Sequence, residues 1–247
     1  MLKLIEGSFY VVEEDIMVNE ATIQRLLQQF PIFKDLTDSE MKPMLEIANH
    51  RMYRQGTHIF MQGDPLTNVY FIQQGKVKIY RTDFHGKEQI VNVLQTGDMF
   101  PHQGFFRKDD YPAHAEVAED AVLIYIPITS FENILTSYPE ISIKLLRVLG
   151  DIIVDLQTRL EEKILRNTYE QIILLLLRLG KSHGNRNELD DNVRLTTQFT
   201  NKEMANMIGS SRETVSRTLS QLKKNGIVTE VEGFLLLDTK ALENELF

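Results

Sequence analysis

The sequence predicts an α+β protein in which an antiparallel β-sandwich or roll, one long helix and a helix-turn-helix with a β-hairpin follow one another. Three observations lead to this fold class. Short β-rich runs separated by turn residues recur through residues 51–128. An apolar seam then runs along residues 139–166, and two short helical patterns meet at Gly209. We therefore expect three segments, residues 1–137, 138–166 and 168–247.

The first segment begins with helical patterns. Residues 21–30 and 38–48 have amphipathic spacing, and Thr37 is a suitable N-cap for the second helix. Before them, alternation in residues 9–12 favours a strand. The β-rich runs follow at residues 58–61, 69–72, 77–80, 89–94 and 122–126, separated by turn residues at 62–65, 74–75, 85–86 and 96–98. Strands at this regular spacing predict an antiparallel sandwich or roll.

The long helix carries apolar residues at steps of three and four, the a/d spacing of a coiled coil. The seam residues are Leu146, Leu149, Ile153, Leu156 and Leu160. Seen alone, such a stripe is more often the core-facing side of an ordinary helix than a coiled coil.

The last segment begins with a helix expected over residues 168–179. Residues 181–192 are polar and rich in Gly and Asn, so we expect an exposed loop there. Residues 227–237 have the pattern of two strands that turn near Glu232 and Gly233.

Residues 200–225, TNKEMANMIGSSRETVSRTLSQLKKN, contain the most informative pattern of the chain. Thr200 and Glu203 have the spacing of a capping box, and Gly209 permits a sharp turn between two helices. Apolar stripes flank this turn: Met204, Ala205 and Ile208 before it, and Val215, Leu219 and Leu222 after it. The pattern is that of a helix-turn-helix, in which Ala205 is small enough for the helices to cross closely.

A polar face opens the second of these helices, where Arg212, Glu213, Ser216 and Arg217 point away from the apolar stripe. Arginine can donate two hydrogen bonds to O6 and N7 of guanine, and a carboxylate can accept one from N4 of cytosine. At the N-terminal end of a second helix, these groups suit the reading of a DNA major groove. The alternative is an ordinary helical hairpin with a solvated, charged face.

The formal net charge of −8 is unusual for a nucleic-acid-binding protein, so the distribution of charge matters. From Thr168 onward there are 10 Lys and Arg against 11 Asp and Glu, a net of −1, and the preceding residues carry −7. Residues 200–227 contain five basic and two acidic residues, a local excess of +3 where DNA phosphates would lie.

The chain has no cysteine, which excludes disulfides, thiolate zinc sites and an iron–sulfur cluster held by its own Cys residues. The longest apolar run, residues 172–177, is too short to cross a bilayer, and we see no signal peptide. We therefore expect a cytoplasmic protein that does not bind membranes.

Several motifs resemble those of the Crp/Fnr family of bacterial transcription regulators. They are S-S-R-E-T-V-S-R at residues 210–217, G-D-P at 63–65, V-Y-F-I-Q-Q-G-K-V-K-I at 69–79 and L-Q-T-G-D-M-F at 94–100. The resemblance implies a cupin-like, cyclic-nucleotide-binding-like β-roll sensor, a helix that dimerises through the seam, and a winged helix-turn-helix. It further implies a homodimer that regulates transcription from a palindromic DNA site, is not an enzyme, and contacts RNA polymerase if it is an activator.

By this resemblance, Arg212 and Arg217 would read guanines, Glu213 a cytosine, and Ser216 a thymine edge. The R-E-x-x-x-R arrangement is similar to the branch that reads TGTGA half-sites, whereas E-x-x-S-R is similar to the branch that reads TTGAT. The chain contains both patterns, so both half-sites stay open. Positions that contact phosphates in the family fall on Thr200, Lys202, Ser211 and Thr214. Each of these side chains could instead be a helix cap or a solvated polar group.

In cyclic-AMP-binding members, a Gly-Glu pair contacts the ribose and an Arg contacts the phosphate. Here the glutamate position falls on His102, and the arginine position falls on Tyr111 or Pro112. A buried cyclic phosphate without the Arg would lose its charge-assisted hydrogen bonds, so we do not expect cyclic AMP to bind through the usual contacts. The candidate effector pocket consists of His102, Gln103, Tyr111 and His114.

The two histidines of this pocket could ligate a metal or haem, because a carbon-monoxide-sensing branch of the family uses a His near this corner. His102 is one place from that ligand position, and isolated histidines in a polar β-loop are usually surface or hydrogen-bonded residues. We predict no cofactor, which leaves an unusual small ligand or a sensor fold without an effector. A cupin-type metalloenzyme is not expected, because His102 and His114 are twelve residues apart and no H-x-H occurs.

Overall fold

The computed structural model describes residues 24, 27–28, 30, 32–34, 37–107, 109–186 and 192–246. The chain forms two compact units, residues 1–153 and 154–247. The strand expected at residues 9–12 and most of the helix expected at 21–30 lie outside the described residues. Helix α1 spans Asp38–Leu45 and is shorter than expected, because the chain turns and enters strand β1, Asn49–Tyr53. The sequence of β1 has no alternating pattern, and its place comes from pairing with a distant strand.

The first unit contains an antiparallel β-roll. Its strands are β1, β2 (His58–Phe60), β3 (Asn68–Thr82), β4 (Glu88–Gln95), β5 (Met99–Phe100) and β6 (His114–Pro127). They pair in the order β1-β6-β3-β4, with β2 on β6 and β5 on β3. The predicted roll is therefore confirmed.

The expected strands at 69–72 and 77–80 are one continuous strand, β3, so the prediction of a turn at residues 74–75 was wrong. Gly75 has φ +90°, and a Cβ added there would lie 2.3 Å from the carbonyl oxygen of Asp120 on β6. The register between β3 and β6 shifts at this place. Gly75 therefore marks a bulge where two strands approach closely, not a reversal of the chain. Strand β6 likewise begins eight residues earlier than residue 122, where we expected it.

The roll has two apolar cores. One lies under the helices and includes Phe33, Phe71 and Phe131. The other lies between β2, β3, β5 and the start of β6, and is rich in aromatic rings, with Phe60, Tyr70, Phe100 and Tyr111 in contact.

Two helices follow the roll. Helix α2 spans Ile128–Ser137, and α3 spans Pro139–Leu165, which confirms the long helix expected over residues 139–166. Near its start, α3 buries Ile141 and Leu145. In its later turns, most of the apolar side chains are exposed. No helix in the described part of the chain is long and apolar enough to span a membrane.

The second unit is a winged helix-turn-helix. Its elements are α4 (Thr168–His183), β7 (Gly184–Arg186), β8 (Asn192–Leu195), α5 (Asn201–Ile208), α6 (Arg212–Lys224), β9 (Val228–Val231), β10 (Phe234–Asp238) and α7 (Thr239–Asn244). The strands pair in the order β7-β8-β10-β9. Strands β9 and β10 confirm the expected hairpin.

The prediction of an exposed loop at residues 181–192 was wrong over residues 181–186 and at Asn192, where β8 begins. Residues 181–183 complete α4, with His183 buried, and residues 184–186 form β7. The carbonyl of His183 accepts hydrogen bonds from the backbone N–H and the hydroxyl of Thr196, at 2.7 and 2.9 Å. This long-range pairing organises a polar sequence that alone reads as a loop.

Candidate DNA-reading site and sensor pocket

Helix α5 begins and ends as its sequence predicts. The hydroxyl of Thr200 accepts a hydrogen bond from the backbone N–H of Glu203 at 3.1 Å, and the carboxylate of Glu203 accepts one from the backbone N–H of Thr200 at 2.8 Å. These two bonds form the expected capping box. At the other end, Gly209 has φ 64° and ψ 38°, the left-handed conformation that terminates many helices.

The two helices pack through the expected stripes. Met204, Ala205 and Ile208 of α5 and Val215, Leu219 and Leu222 of α6 all lie in one buried cluster. Helix α6 starts at an N-cap, Ser211, whose hydroxyl accepts from the backbone N–H of Thr214 at 3.1 Å. Because its apolar side is buried, the opposite side of α6 is fixed as the surface side.

Three of the four predicted base-reading residues are exposed on that surface. Arg212, Glu213 and Arg217 are exposed, and Ser216 is half-buried beside them. Hydrogen bonds from its own backbone N–H and from the Ser211 hydroxyl, together with the charges of the two arginines, lower the pKa of Glu213 below its usual range. Its carboxylate is therefore ionised at neutral pH and acts only as a hydrogen-bond acceptor.

The predicted phosphate-contacting hydroxyls have partners within the chain. The Thr200 hydroxyl donates to Glu203 at 2.8 Å, and the hydroxyls of Ser211 and Thr214 lie 2.9 Å apart. Thr200 and Ser211 are the N-caps of α5 and α6, the alternative that their sequence positions left open, and Thr214 lies in the first turn of α6. Lys202 is exposed on α5. A phosphate contact for any of the four residues stays a prediction.

Ion pairs modify the local charge excess. Lys223, at the end of α6, pairs with Glu230 on β9 at 2.5 Å. Arg194 on β8 pairs with Glu232 at the tip of the hairpin at 2.7 Å, and its guanidinium lies over the Phe234 ring. Glu230 lies just beyond the window of the charge count, so that count missed its partial compensation of Lys223.

The sensor residues occupy different environments. Tyr111 is only 3% exposed, and its ring stacks on Phe60 with centroids 3.6 Å apart. Its hydroxyl donates to the carbonyl of Asn68 at 3.1 Å and accepts from the backbone N–H of Asn68 at 3.0 Å. Tyr111, one of the two positions to which the resemblance assigns the phosphate arginine, is therefore a core aromatic residue whose polar group is already bonded.

His114 belongs to a second cluster, which sequence reasoning did not assemble. Its ring stacks on Tyr80 at 4.8 Å, and its Nδ1 accepts from the backbone N–H of Gln62 at 3.2 Å. His58 lies 2.9 Å from the Tyr80 hydroxyl and 3.8 Å from Glu116. Burial and the neighbouring His58 lower the pKa of His114, and burial together with Glu116 raises the pKa of Tyr80 to about 12. These residues come from three strands, and no sequence motif joins them.

The other two pocket residues lie in the loop after β5. His102 is half-buried, and burial lowers its pKa, whereas Gln103 is exposed. Tyr111 and His114 do not share these contacts: Tyr111 contacts Phe60 and Asn68, whereas His114 contacts Tyr80 and Gln62. Within the described ranges, no group of three or more His, Asp or Glu side chains is arranged to hold a metal ion.

The seam of α3 is largely open on the single chain. Leu146, Ile153, Leu156 and Leu160 are each more than half exposed, and Ile164 extends the row by one turn. Leu149, in contrast, packs partly against the core of the first unit. Contiguous exposed apolar surface of this kind is typical of an interaction site.

The fold and the site together define a two-domain protein, with an antiparallel roll of the cyclic-nucleotide-binding type and a winged helix-turn-helix. Residues 50–138 match the cyclic nucleotide-binding domain family, and residues 170–245 match the Crp-like helix-turn-helix domain family. The chain belongs to the Crp/Fnr family of transcription regulators, whose members bind DNA and act as dimers and are not enzymes. This family membership confirms the resemblance seen in the sequence.

Relatives cover most of the chain. It is 29% identical over 222 residues to the cyclic AMP receptor protein of Thermus thermophilus, which spans 87% of this chain and 96% of that protein. It is 27% identical over 211 residues to the global nitrogen regulator of Synechocystis, which spans 83% of this chain and 91% of that protein.

Solved structures show the same fold. A variant of CooA from Carboxydothermus hydrogenoformans has a TM-score of 0.70 at 21% identity, covering 94% of this chain and 97% of that chain. FixK2 from Bradyrhizobium japonicum has a TM-score of 0.71 at 20% identity, covering 80% of this chain and 96% of that chain.

Proposed function

We propose that this regulator binds a palindromic DNA site as a homodimer and reads each half-site with α6. The observation that carries the proposal is the exposure of Arg212, Glu213 and Arg217 on one side of α6, whose other side is buried. A helix presented in this way can enter a major groove with its N-terminal residues against the base edges. The ionised Glu213 supplies an acceptor for cytosine N4, and the two arginines supply paired donors for guanine.

The dimer in this proposal forms along α3. Exposed Leu146, Ile153, Leu156 and Leu160 give one apolar row, which a second copy of the same helix can cover. Two-fold symmetry then places two α6 helices on half-sites separated by about one turn of DNA, about 34 Å. Whether the protein activates or represses depends on the position of its site, and RNA polymerase is a partner only for an activator.

The test is selection of bound sequences from a random DNA pool, followed by measurement of affinities. We expect a palindrome with TGTGA-like or TTGAT-like half-sites, and the selected sequence decides between them. Arg217→Ala should weaken binding to that palindrome by about 1–3 kcal/mol and blunt the preference at one guanine. Lys202→Ala is the control, because loss of a phosphate contact should weaken cognate and scrambled DNA equally. Equal losses for Arg217→Ala on both DNAs, or no enriched palindrome, would contradict the proposal.

A second candidate concerns control of the regulator: the roll works without an effector. Tyr111 supports it, because its ring fills core space against Phe60 and its hydroxyl is bonded at both its donor and acceptor sides to Asn68. The relative from Thermus thermophilus is named for cyclic AMP. In this chain, the buried Tyr111 supplies no positive charge for a phosphodiester, so we propose that cyclic AMP is not its effector.

Two measurements separate these possibilities. Calorimetry with cyclic AMP should give no binding heat, and DNA affinity should be the same with and without a metabolite extract. An extract that changes the DNA affinity would favour an unidentified ligand, for which His102, Gln103, Tyr111 and His114 are the first residues to vary. We propose no metal or haem at His102 and His114, because Nδ1 of His114 accepts a hydrogen bond and the neutral ring then carries its proton on Nε2, which leaves no free lone pair for a metal. Metal and haem analysis of the purified protein tests this.

A further inference from the structure

The last turn of α3 is bonded to the helix-turn-helix through Lys163. Its ammonium donates to the carbonyl oxygen of Ile208 at 2.8 Å and to Oε1 of Gln171 at 3.3 Å. Ile208 is the last residue of α5, so its carbonyl has no partner within the helix and lies at the negative end of the helix dipole. A lysine ammonium donates a hydrogen bond to this carbonyl and also places a positive charge at the negative end of the dipole. The bond lies one residue before Gly209, where the chain turns toward α6.

A second bond ties the same turn of α3 to α4. Glu162 pairs with Arg178 at 2.8 Å, and both side chains are mostly buried, with 17% and 22% of their surface exposed. Gln171, which also accepts from Lys163, donates through its amide to the carbonyl of Arg166 at 2.7 Å. Because solvent screens this ion pair less than a surface pair, it restrains the end of α3 more strongly.

We propose that Lys163 and Glu162 are positioning residues that hold α6 in one place relative to the end of α3. In this way they set the spacing between half-sites that the dimer accepts. The inference rests on the proposed function. Leu156 and Leu160, the last seam residues named above, lie on the same helix less than two turns before Lys163. In a symmetric dimer joined there, the separation of the two α6 helices depends on how each is attached to its α3.

Neither residue is one of the α6 side chains assigned to base reading, although Lys163 is exposed. The ammonium of Lys163 is occupied by Ile208 and Gln171, and Glu162 by Arg178, so their bonds are within the protein. Loss of these bonds should leave the reading of a single half-site intact. It should instead relax the geometry between the two half-sites, which is a different quantity from overall affinity.

The experiment uses the full chain and three DNA duplexes: the selected palindrome, and versions with one base pair added or removed between the half-sites. One base pair moves a half-site by about 3.4 Å along the duplex. Wild-type protein should bind both misspaced duplexes at least about tenfold more weakly, equal to about 1.4 kcal/mol. Lys163→Met, and separately Glu162→Gln, should reduce this penalty to about threefold or less, close to 0.6 kcal/mol. Affinity for an isolated half-site should change by less than about twofold, about 0.4 kcal/mol.

Matched controls are Lys181→Met on α4 and Glu161→Gln on α3, which change the same residue types at exposed positions. Both should keep the wild-type spacing penalty. Circular dichroism and the unfolding temperature identify a variant that fails to fold. If Lys163→Met fails to fold, the test of the positioning role rests on Glu162→Gln, the milder change.

The outcomes are distinguishable. Wild-type protein with no preference for any palindrome overturns the proposed function and the positioning role with it. A wild-type spacing penalty that persists in both variants overturns the positioning role alone. Equal weakening on every duplex, half-site included, would also overturn it, because that is the result of a merely structural defect. A relaxed penalty with unchanged half-site affinity supports it.

Discussion

The most direct test of the dimer is the double substitution of Leu156 and Leu160 by alanine. On the single chain these side chains are 51% and 61% exposed, so a symmetric partner can bury about half of each. Full burial of a leucine contributes about 1.5–3 kcal/mol, and half burial about 0.8–1.5 kcal/mol. The substitution acts in both protomers and removes four such contributions, about 3–6 kcal/mol. The dimer dissociation constant should therefore rise by about two to four orders of magnitude.

Sedimentation equilibrium over a range of concentrations measures this constant. The matched control is Val154→Ala with Leu165→Ala, since both side chains are as exposed as the seam leucines but project from the other side of α3. The control should shift the dissociation constant by less than tenfold, about 1.4 kcal/mol. An unchanged constant in the seam variant, or an equal shift in the control, would refute a dimer formed along this seam.

Three further predictions follow from single side chains. Gly209→Ala should destabilise the protein by about 1–2 kcal/mol in urea unfolding, because residue 209 has φ 64°. The control Gly150→Ala, inside α3 with open space around it, should stabilise the protein by about 0.5–1 kcal/mol. Changes of the same sign in both variants would contradict the prediction for Gly209. Tyr111→Phe should cost about 1–3 kcal/mol in the same assay, because it removes both hydrogen bonds between the hydroxyl and the backbone of the half-buried Asn68; a neutral result would show that the two bonds contribute nothing. The lowered pKa of Glu213 keeps its carboxylate ionised above its ordinary pKa of about 4.3. The affinity ratio of wild type to Glu213→Gln on the selected palindrome should therefore be constant between about pH 5.5 and 8 and fall only under more acidic conditions; a ratio that changes near neutrality would be inconsistent with it.

Much of the second unit could be predicted from the sequence, because it depends on interactions between residues close together in the chain. The Thr200–Glu203 box and Gly209 involve atoms within a few residues of each other, so the capping bonds and the left-handed turn are properties of the sequence itself. The stripes of α5 and α6 follow from helical periodicity, which also fixes Arg212 and Arg217 on the opposite surface. For the same reason, the seam of α3 could be identified from spacing alone.

Contacts between distant segments could not be predicted from local sequence patterns. Gly75 has the sequence of a turn, but the approach of β6 makes it a bulge in one continuous strand. The role of Tyr111 depended on its meeting Phe60 and Asn68, more than forty residues away. The partial neutralisation of Lys223 depended on the hairpin that brings Glu230 beside it.

The sequence by itself thus determined a β-rich segment, a long apolar-seamed helix and a helix-turn-helix, because periodicity and capping act over a few residues, and the resemblance of its motifs pointed to a regulator family. Only the tertiary structure decided that Tyr111 is a core residue, and that Lys163 closes the end of α5 across 45 residues of chain. Such contacts depend on which strands pair and which helices meet, and no local pattern encodes that.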